Sequence, residues 1–379
     1  GAQAGCDPAW AGYAAVPASP VPSGVSLSAW CAEGLTMMSR SARVAPAALV
    51  ALILLMACGV RVVGVADEGL WYDEMWSATF ASLNPWEITL SALRFDIHPP
   101  GWFYQLRLWS LAGGSDFWLM LNSVFWSMLS LAMVMYAADR LFSRTTAVLA
   151  GLLLALAPVA VELSSHVRQY AALTAVTPAA WYLSERYLRG ERERLPVFSL
   201  GALVLFAVYS HGSGPFIATF LGVAGLGAAA AHRTSKQRVR AWLSLQIWLA
   251  LLSVPGGAVA LIRTKADNLT APDIQQAGTD LAHIFFGRFS RGEDLPMLVA
   301  LGLWLALLVA ALVFRRGRLL ILAFVHLPFA SFAIVSHLGK PIWFGRAFWF
   351  LIPMICLGLA VTIDNLADAA RRLRVPRRV

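Results

Sequence analysis

The residues best able to do chemistry crowd into one stretch. Between Asp67 and Trp109 the carboxylates Asp67, Glu68, Asp73, Glu74, Glu87 and Asp96 are interleaved with Trp71, Tyr72, Trp76, Trp86, Trp102 and Trp109, in a chain that is otherwise largely apolar. Indole and phenol rings prefer the headgroup layer of a membrane, where one edge is wet and the other dry. A carboxylate held in that half-dry layer feels stronger fields than in bulk water and becomes a better base. The stretch therefore reads as the catalytic lip of a membrane-embedded enzyme, with Asp73 as general base. Its neighbour Glu74, also a catalytic candidate, points elsewhere in helix or strand geometry and has a competing reading as a structural partner. Asp96, brought back by the turn at His98-Pro99-Pro100, is the better companion for Asp73. A second chemistry is anion binding. Arg168, Lys340 and Arg346 stand at or near the same ends of three separate apolar segments, and together they form an anion site where those segments converge.

The composition says what must position these groups. Of 379 residues 59% are hydrophobic and 13% charged, against roughly a quarter charged in a soluble domain, and the mean hydropathy is +0.65. This is an all-α polytopic membrane protein, with about ten apolar segments long enough to cross a bilayer. They cover approximately 45–66, 116–138, 145–163, 170–188, 196–211, 214–231, 241–262, 296–314, 319–337 and 347–365. Basic residues recur at every second connection, in Arg40–Arg43, Arg140–Arg144, Arg186–Arg194, Arg233–Arg240, Arg315–Arg318 and Arg371–Arg378. That asymmetry puts both termini in the cytoplasm of an inner (plasma) membrane protein and turns the acidic stretch outward. The net charge of +9 is thereby explained by loop topology, without nucleic acid as a partner. Residues 1–36, rich in Ala, Gly, Pro and Ser ahead of Met37-Met38, read as a disordered or non-native leader. Residues 37–366 form the membrane domain, with long outer loops at 67–115 and 263–295, and 367–379 form a basic cytoplasmic tail.

Within the first outer loop, Asn84-Pro85 marks a helix start, and Gly101 to Ala112 places Trp102, Leu106 and Trp109 at helical spacing. Both pieces read as helices lying in the interface. The loop 263–295 is expected to close over the first. The four cysteines and seven histidines show no ligand spacing, so no dedicated metal site is expected. A divalent cation bound by Asp73 and Asp96 stays open as a cofactor. The segment Tyr209-Ser210-His211-Gly212-Ser213-Gly214 reads as a tight outer turn.

The order of a first helix, Asp73-Glu74 among aromatics, then Phe95-Asp96-Ile97-His98-Pro99-Pro100, resembles the GT-C superfamily of membrane glycosyltransferases that use polyprenyl-phosphate sugars. Within it the likeness is to protein O-mannosyltransferases and the lipid A aminoarabinose transferases. Ser164-Ser165-His166-Val167-Arg168-Gln169-Tyr170 is similar to that family's Ser, Arg and Tyr cluster. Gly345-Arg346-Ala347-Phe348 with Pro353 is similar to its late segment, with Ala347 and Phe348 where an Arg-Tyr pair is usual. The resemblance implies inverting transfer of a sugar from a polyprenyl phosphate to a lipid, glycan or protein acceptor on the outer face. It also implies a phosphate held by Arg168, Lys340 and Arg346, with His98, His166 and Tyr170 touching the substrate. Such a transfer needs a base and positive charge but no general acid, since phosphate departs unprotonated. The alternative class is a transporter or flippase of lipid-linked sugars, which predicts inverted repeats and ionisable groups at mid-membrane depth. The sequence shows no internal repeat, and its acids lie at the lip.

Overall fold

The computed structural model describes residues 47–63, 65, 69–190, 194–263, 271–290, 294–339, 341–343 and 345–374. The chain divides into residues 1–49 and 50–379. Of the first unit, residues 47–49 are described and are helical. Apart from those three residues, all that follows concerns the second. The expected leader, Asp67, Glu68 and the anion-site candidate Lys340 lie outside the described residues.

Among the described residues the regular structure is entirely helical. An apolar helix α1 (Ala47–Val63) leads to three short helices, α2 (Tyr72–Ser82), α3 (Pro85–Phe95) and α4 (Gly101–Ser110). The bundle follows as α5 (Asp116–Leu141), α6 (Arg144–Leu156), α7 (Pro158–Glu162), α8 (Tyr170–Arg189), α9 (Arg194–Val208), α10 (Gly214–Ala231) and α11 (Lys236–Arg263). Next come α12 (Ile274–Phe286) and α13 (Asp294–Val313). The chain ends with α14 (Arg318–Leu338), a 3-10 turn Gly345–Leu351 and α15 (Ile352–Arg374).

Among the described residues six helices are long and apolar enough to cross a membrane, namely α5, α10, α11, α13, α14 and the run from Gly345 through α15. The expected count of about ten is therefore not reproduced by length and hydropathy. Two reasons are physical. The segment expected at 145–163 breaks where Pro158 opens α7, and Ala157 takes an extended ψ of 117°. The segment at 170–188 is a 20-residue helix, but α8 is buried along most of its length against α5, α9 and α10. Facing protein rather than lipid, it tolerates Thr174, Thr177, Ser184 and Glu185, which lower its hydropathy.

Prolines inside an apolar bundle strand a carbonyl one turn back, and that carbonyl must find a donor. Pro178 leaves the oxygen of Thr174, which accepts from the Ser130 hydroxyl of α5 at 2.8 Å. Pro158 leaves the oxygen of Leu154, which accepts from Nη2 of Arg61 at 3.2 Å. Arg61 lies fully buried on α1 and also donates to Ser127 Oγ at 2.8 Å and to the oxygens of Ala57 and Ala155 at 3.1 Å. It thus ties α1, α5 and the end of α6 together just ahead of the α7 break.

The short helices form where the sequence signals them. Asn84 Oδ1 accepts from the Glu87 amide at 3.0 Å, and Glu87 Oε2 accepts from the Asn84 amide at 3.1 Å, a reciprocal cap with Pro85 in the first turn. A core of Phe80, Ile88, Trp102, Phe103 and Leu106 then packs α2, α3 and α4 onto α5. The expected closure of the second long loop takes another form, in which α12 packs on α13, on α7 and on the Gly345–Leu351 turn.

Candidate functional site

The site is built where α2, the Ser164–Gln169 turn, the start of α8 and the Gly345–Leu351 turn meet. Asp73 occupies the first turn of α2 and is half-buried. Arg168, in the turn before α8, is buried and donates from Nη1 to the main-chain oxygen of Asp73 at 3.1 Å and to Ser77 Oγ at 3.2 Å. Its Nε is buried without a partner. Arg168, Arg346 and Asp73 all lie close enough to the Tyr170 phenol to act on it electrostatically. Four of the residues singled out by type and spacing are thereby brought together from distant parts of the chain.

Arg346 is held by aromatic faces. Its guanidinium carbon lies 5.5 Å from the Trp71 ring centre and 5.6 Å from that of Trp349. Each contact is a cation–π attraction that fixes the guanidinium without neutralising it. Tyr170 meets Trp349 edge-on at 5.0 Å, and His166 lies 6.3 Å from Trp71, placing it at the rim of the same group. From the other side, Asp280 of α12 accepts from Trp343 Nε1 at 2.7 Å. A Cβ at Gly345 would meet Asp280 Oδ1 at 2.6 Å, so the close docking of α12 on this turn depends on the glycine.

Two further catalytic candidates, Glu74 and Asp96, accept hydrogen bonds within the scaffold. Glu74 is buried; its Oε2 accepts from the Trp71 amide and its Oε1 from the Val167 amide, both at 3.1 Å. It thus pins the start of α2 to the turn that carries Arg168. Asp96 is buried as well, with Oδ2 accepting from Trp76 Nε1 at 3.1 Å and Oδ1 from the His98 amide at 2.8 Å. Both its oxygens thus already face N–H donors. Among the described residues no group of three or more His, Cys, Asp or Glu is gathered as a metal would need.

His98 is 6% exposed and does not present its ring at the surface. It stacks on His211 with ring centres 4.5 Å apart, and His211 in turn meets Tyr170 at 5.3 Å. Burial, reinforced by the Arg168 charge, pushes the His98 imidazole down to about 3. Burial also holds His211 well below the usual imidazole range, with His98 and Arg168 adding to the effect. His211 and Trp349 are the site residues that sequence reasoning missed. The first was hidden in a Gly-Ser turn and the second inside an apolar run. Beside the Arg346 segment an apolar groove of about 350 Å³ is lined by Leu156, Pro158, Phe286, Ile352 and Cys356, among others.

Comparisons with known proteins bear on the fold. A family profile described as dolichyl-phosphate-mannose-protein mannosyltransferase matches residues 97–256. A comparison with curated protein sequences finds no match. Among solved structures, ArnT from Cupriavidus metallidurans in the apo state is similar with a TM-score of 0.62 at 17% identity, covering 86% of this chain and 62% of its own. The same protein bound to undecaprenyl phosphate aligns with a TM-score of 0.59 at 17% identity, covering 85% and 61%. The archaeal oligosaccharyltransferase AglB from Archaeoglobus fulgidus, in complex with an inhibitory peptide and a dolichol-phosphate, aligns with a TM-score of 0.52 at 12% identity, covering 88% and 52%. The chain thus spans about three fifths of ArnT and about half of AglB. The chain thus shares its fold with these membrane proteins, residues 97–256 match the mannosyltransferase profile, and among the described residues six helices are long and apolar enough to cross a membrane, as in a multi-pass membrane protein.

Proposed function

We propose that this protein is an inverting glycosyltransferase that moves a sugar from a polyprenyl phosphate to a lipid, glycan or protein acceptor on the outer face of the inner membrane. The observation that carries the reading is the convergence of Asp73 with Arg168, Tyr170 and Arg346. Asp73 takes the proton of the acceptor hydroxyl as its oxygen attacks the anomeric carbon. The bond from that carbon to the phosphate oxygen breaks in the same displacement, and the configuration inverts. The charge left on the departing polyprenyl phosphate is met by Arg168 and Arg346, with Lys340 as the third cation of the set. Tyr170 and His166 meet sugar hydroxyls in this reading, while Glu74 and Asp96 hold the scaffold. Support for a lipid donor comes from the apolar groove beside the Arg346 segment, which suits an isoprenoid tail. It comes also from the fold shared with a protein whose structure contains undecaprenyl phosphate.

The test is mass spectrometry of envelope glycans and lipid-linked sugars from cells with and without the protein. Loss of one sugar, with its prenyl-phosphate donor accumulating, is the expected result. An unchanged glycan profile with an unchanged donor pool would overturn the proposal.

A further inference from the structure

The two halves of the site are not joined along the chain. Asp73 rides on α2, whereas Arg346 sits in the turn before α15, and a physical link must set their spacing. Besides the Trp71–Arg346 contact, one such link runs through two buried imidazoles. Trp76 of α2 donates to Asp96, which accepts the His98 amide and so fixes the His98-Pro99-Pro100 turn. The His98 ring stacks on His211 at 4.5 Å with an interplanar angle of 24°. Beside the stack the Gly101 amide donates to the Tyr209 oxygen at 2.6 Å, an approach that leaves no room for a Cβ at Gly101. Beyond His211, the Ser213 amide donates to His211 Nδ1 at 3.0 Å and the Ser213 hydroxyl donates to the Ala347 oxygen at 3.3 Å, one residue from Arg346. Tyr170 touches the ring of His211 on one edge and that of Trp349 on another.

We infer that the His98–His211 stack is the joint that fixes the spacing between the Asp73-bearing helix and the Arg346-bearing turn, a positioning element that requires both imidazoles to be neutral. The hydrogen bonds give the reason. His211 Nδ1 accepts an N–H, so its single proton is on Nε2, and a second proton would have to enter where the Ser213 amide already points. Two stacked imidazolium rings beside the buried Arg168 would repel one another. The titratable and charged groups around the pair are Arg168 and Tyr170 from the start of α8, Asp96 from its own turn, and Arg346 and Asp73 through Tyr170. No carboxylate among these bonds to either ring nitrogen in the described structure, and Nδ1 of His98 and Nε2 of His211 are buried without partners.

The inference rests on reading the Asp73–Arg168–Arg346 group as the reaction site, but it can be tested without substrate. Spin labels are placed at Tyr72 on α2 and Ile274 on α12, both highly exposed, after replacement of the native cysteines. The distance between them is then measured in the full chain in lipid nanodiscs. α12 reports on the Arg346 turn because Asp280 holds Trp343 and packs on Gly345.

One narrow distance is expected from pH 8 to pH 5 in the native protein and in His211→Phe, which keeps a flat neutral ring. A second, longer population is expected in His211→Ala. In a transfer assay the alanine variant should lose kcat more than donor affinity, since a misplacement of about 1 Å can cost roughly 10²-fold, and His211→Phe should restore it. An unchanged distance in His211→Ala, a split distance in His211→Phe, or native chains that open between pH 7 and pH 6 would each overturn the joint. Should His211→Ala not fold, the native pH series and His211→Phe decide alone. A joint confirmed by distance with no transfer detected would count against the transferase reading and leave the joint standing.

Discussion

Arg168 bonds through its guanidinium to the main-chain oxygen of Asp73 at 3.1 Å, so the cation assigned to the phosphate also positions the residue assigned as base. Nη1 is committed to that oxygen and to Ser77, while Nε is buried without a partner. The two assignments are therefore coupled. Arg168→Lys keeps the charge but replaces the planar guanidinium, whose Nη1 makes both contacts and leaves its other nitrogens for the phosphate, with one ammonium on a different stem. Loss of a charge-assisted hydrogen bond costs about 1.5–3 kcal/mol, equivalent to roughly 10- to 100-fold. The expected outcome is a drop of that size in kcat/KM for the lipid donor, measured with purified protein in proteoliposomes.

Glu74 should behave differently from its neighbour. Its two oxygens accept main-chain amides from Trp71 and Val167, and Glu74→Gln sets an NH₂ against one of those donors. A buried unsatisfied donor costs about 1–3 kcal/mol. The variant should melt at a lower temperature in detergent, with activity per folded molecule retained. A full loss of turnover in a protein as stable as the native one would make Glu74 catalytic instead.

The aromatic clamp predicts a graded effect. Arg346 lies between Trp71 and Trp349, and a cation–π contact is worth about 0.5–2 kcal/mol. Trp349→Leu removes one face and should raise the donor KM by roughly 2- to 30-fold on that scale, whereas Trp349→Phe should give a smaller rise. Titration with undecaprenyl phosphate, followed by intrinsic fluorescence, reads the same change as an affinity.

The pH dependence of stability follows from His98. Burial holds its folded value at about 3, below an unfolded value of about 6.5. Between these values the unfolded chain binds the extra proton, so the contribution of the neutral ring is complete above pH 6.5 and is lost as pH falls toward 3. The loss is about 1.4 kcal/mol per pH unit for one such group. The melting temperature should therefore fall from pH 7 to pH 5, and fall less in His98→Phe, in thermal unfolding monitored by scanning fluorimetry.

Much of this was legible in the chain because the signals were local or periodic. Asn84-Pro85-Trp86-Glu87 contains its own helix cap, and the apolar runs of α5, α10 and α13 have few readings other than membrane crossing. Asp73, Arg168, Tyr170 and Arg346 could be nominated by type and by place at segment ends. Their meeting depends on helix packing, which spacing does not encode. The expected span at α8 is not reproduced by length and hydropathy because a helix buried in protein need not be oily, nor is the one at 145–163, because Pro158 breaks the run. His211 was out of reach for a related reason. Its partner His98 lies in another loop, and Tyr209-Ser210-His211-Gly212-Ser213-Gly214 looks like any Gly-Ser turn until the rings are seen stacked.

The central claim, that the carboxylate of Asp73 takes the acceptor proton beside a lipid phosphate held by Arg168 and Arg346, is tested most directly with Asp73→Asn in proteoliposomes supplied with a polyprenyl-phosphate sugar and acceptor. A side chain of the same shape without a basic oxygen should keep the melting temperature and donor affinity while transfer falls by about 10²- to 10⁴-fold. Transfer by Asp73→Asn at the native rate would contradict the account.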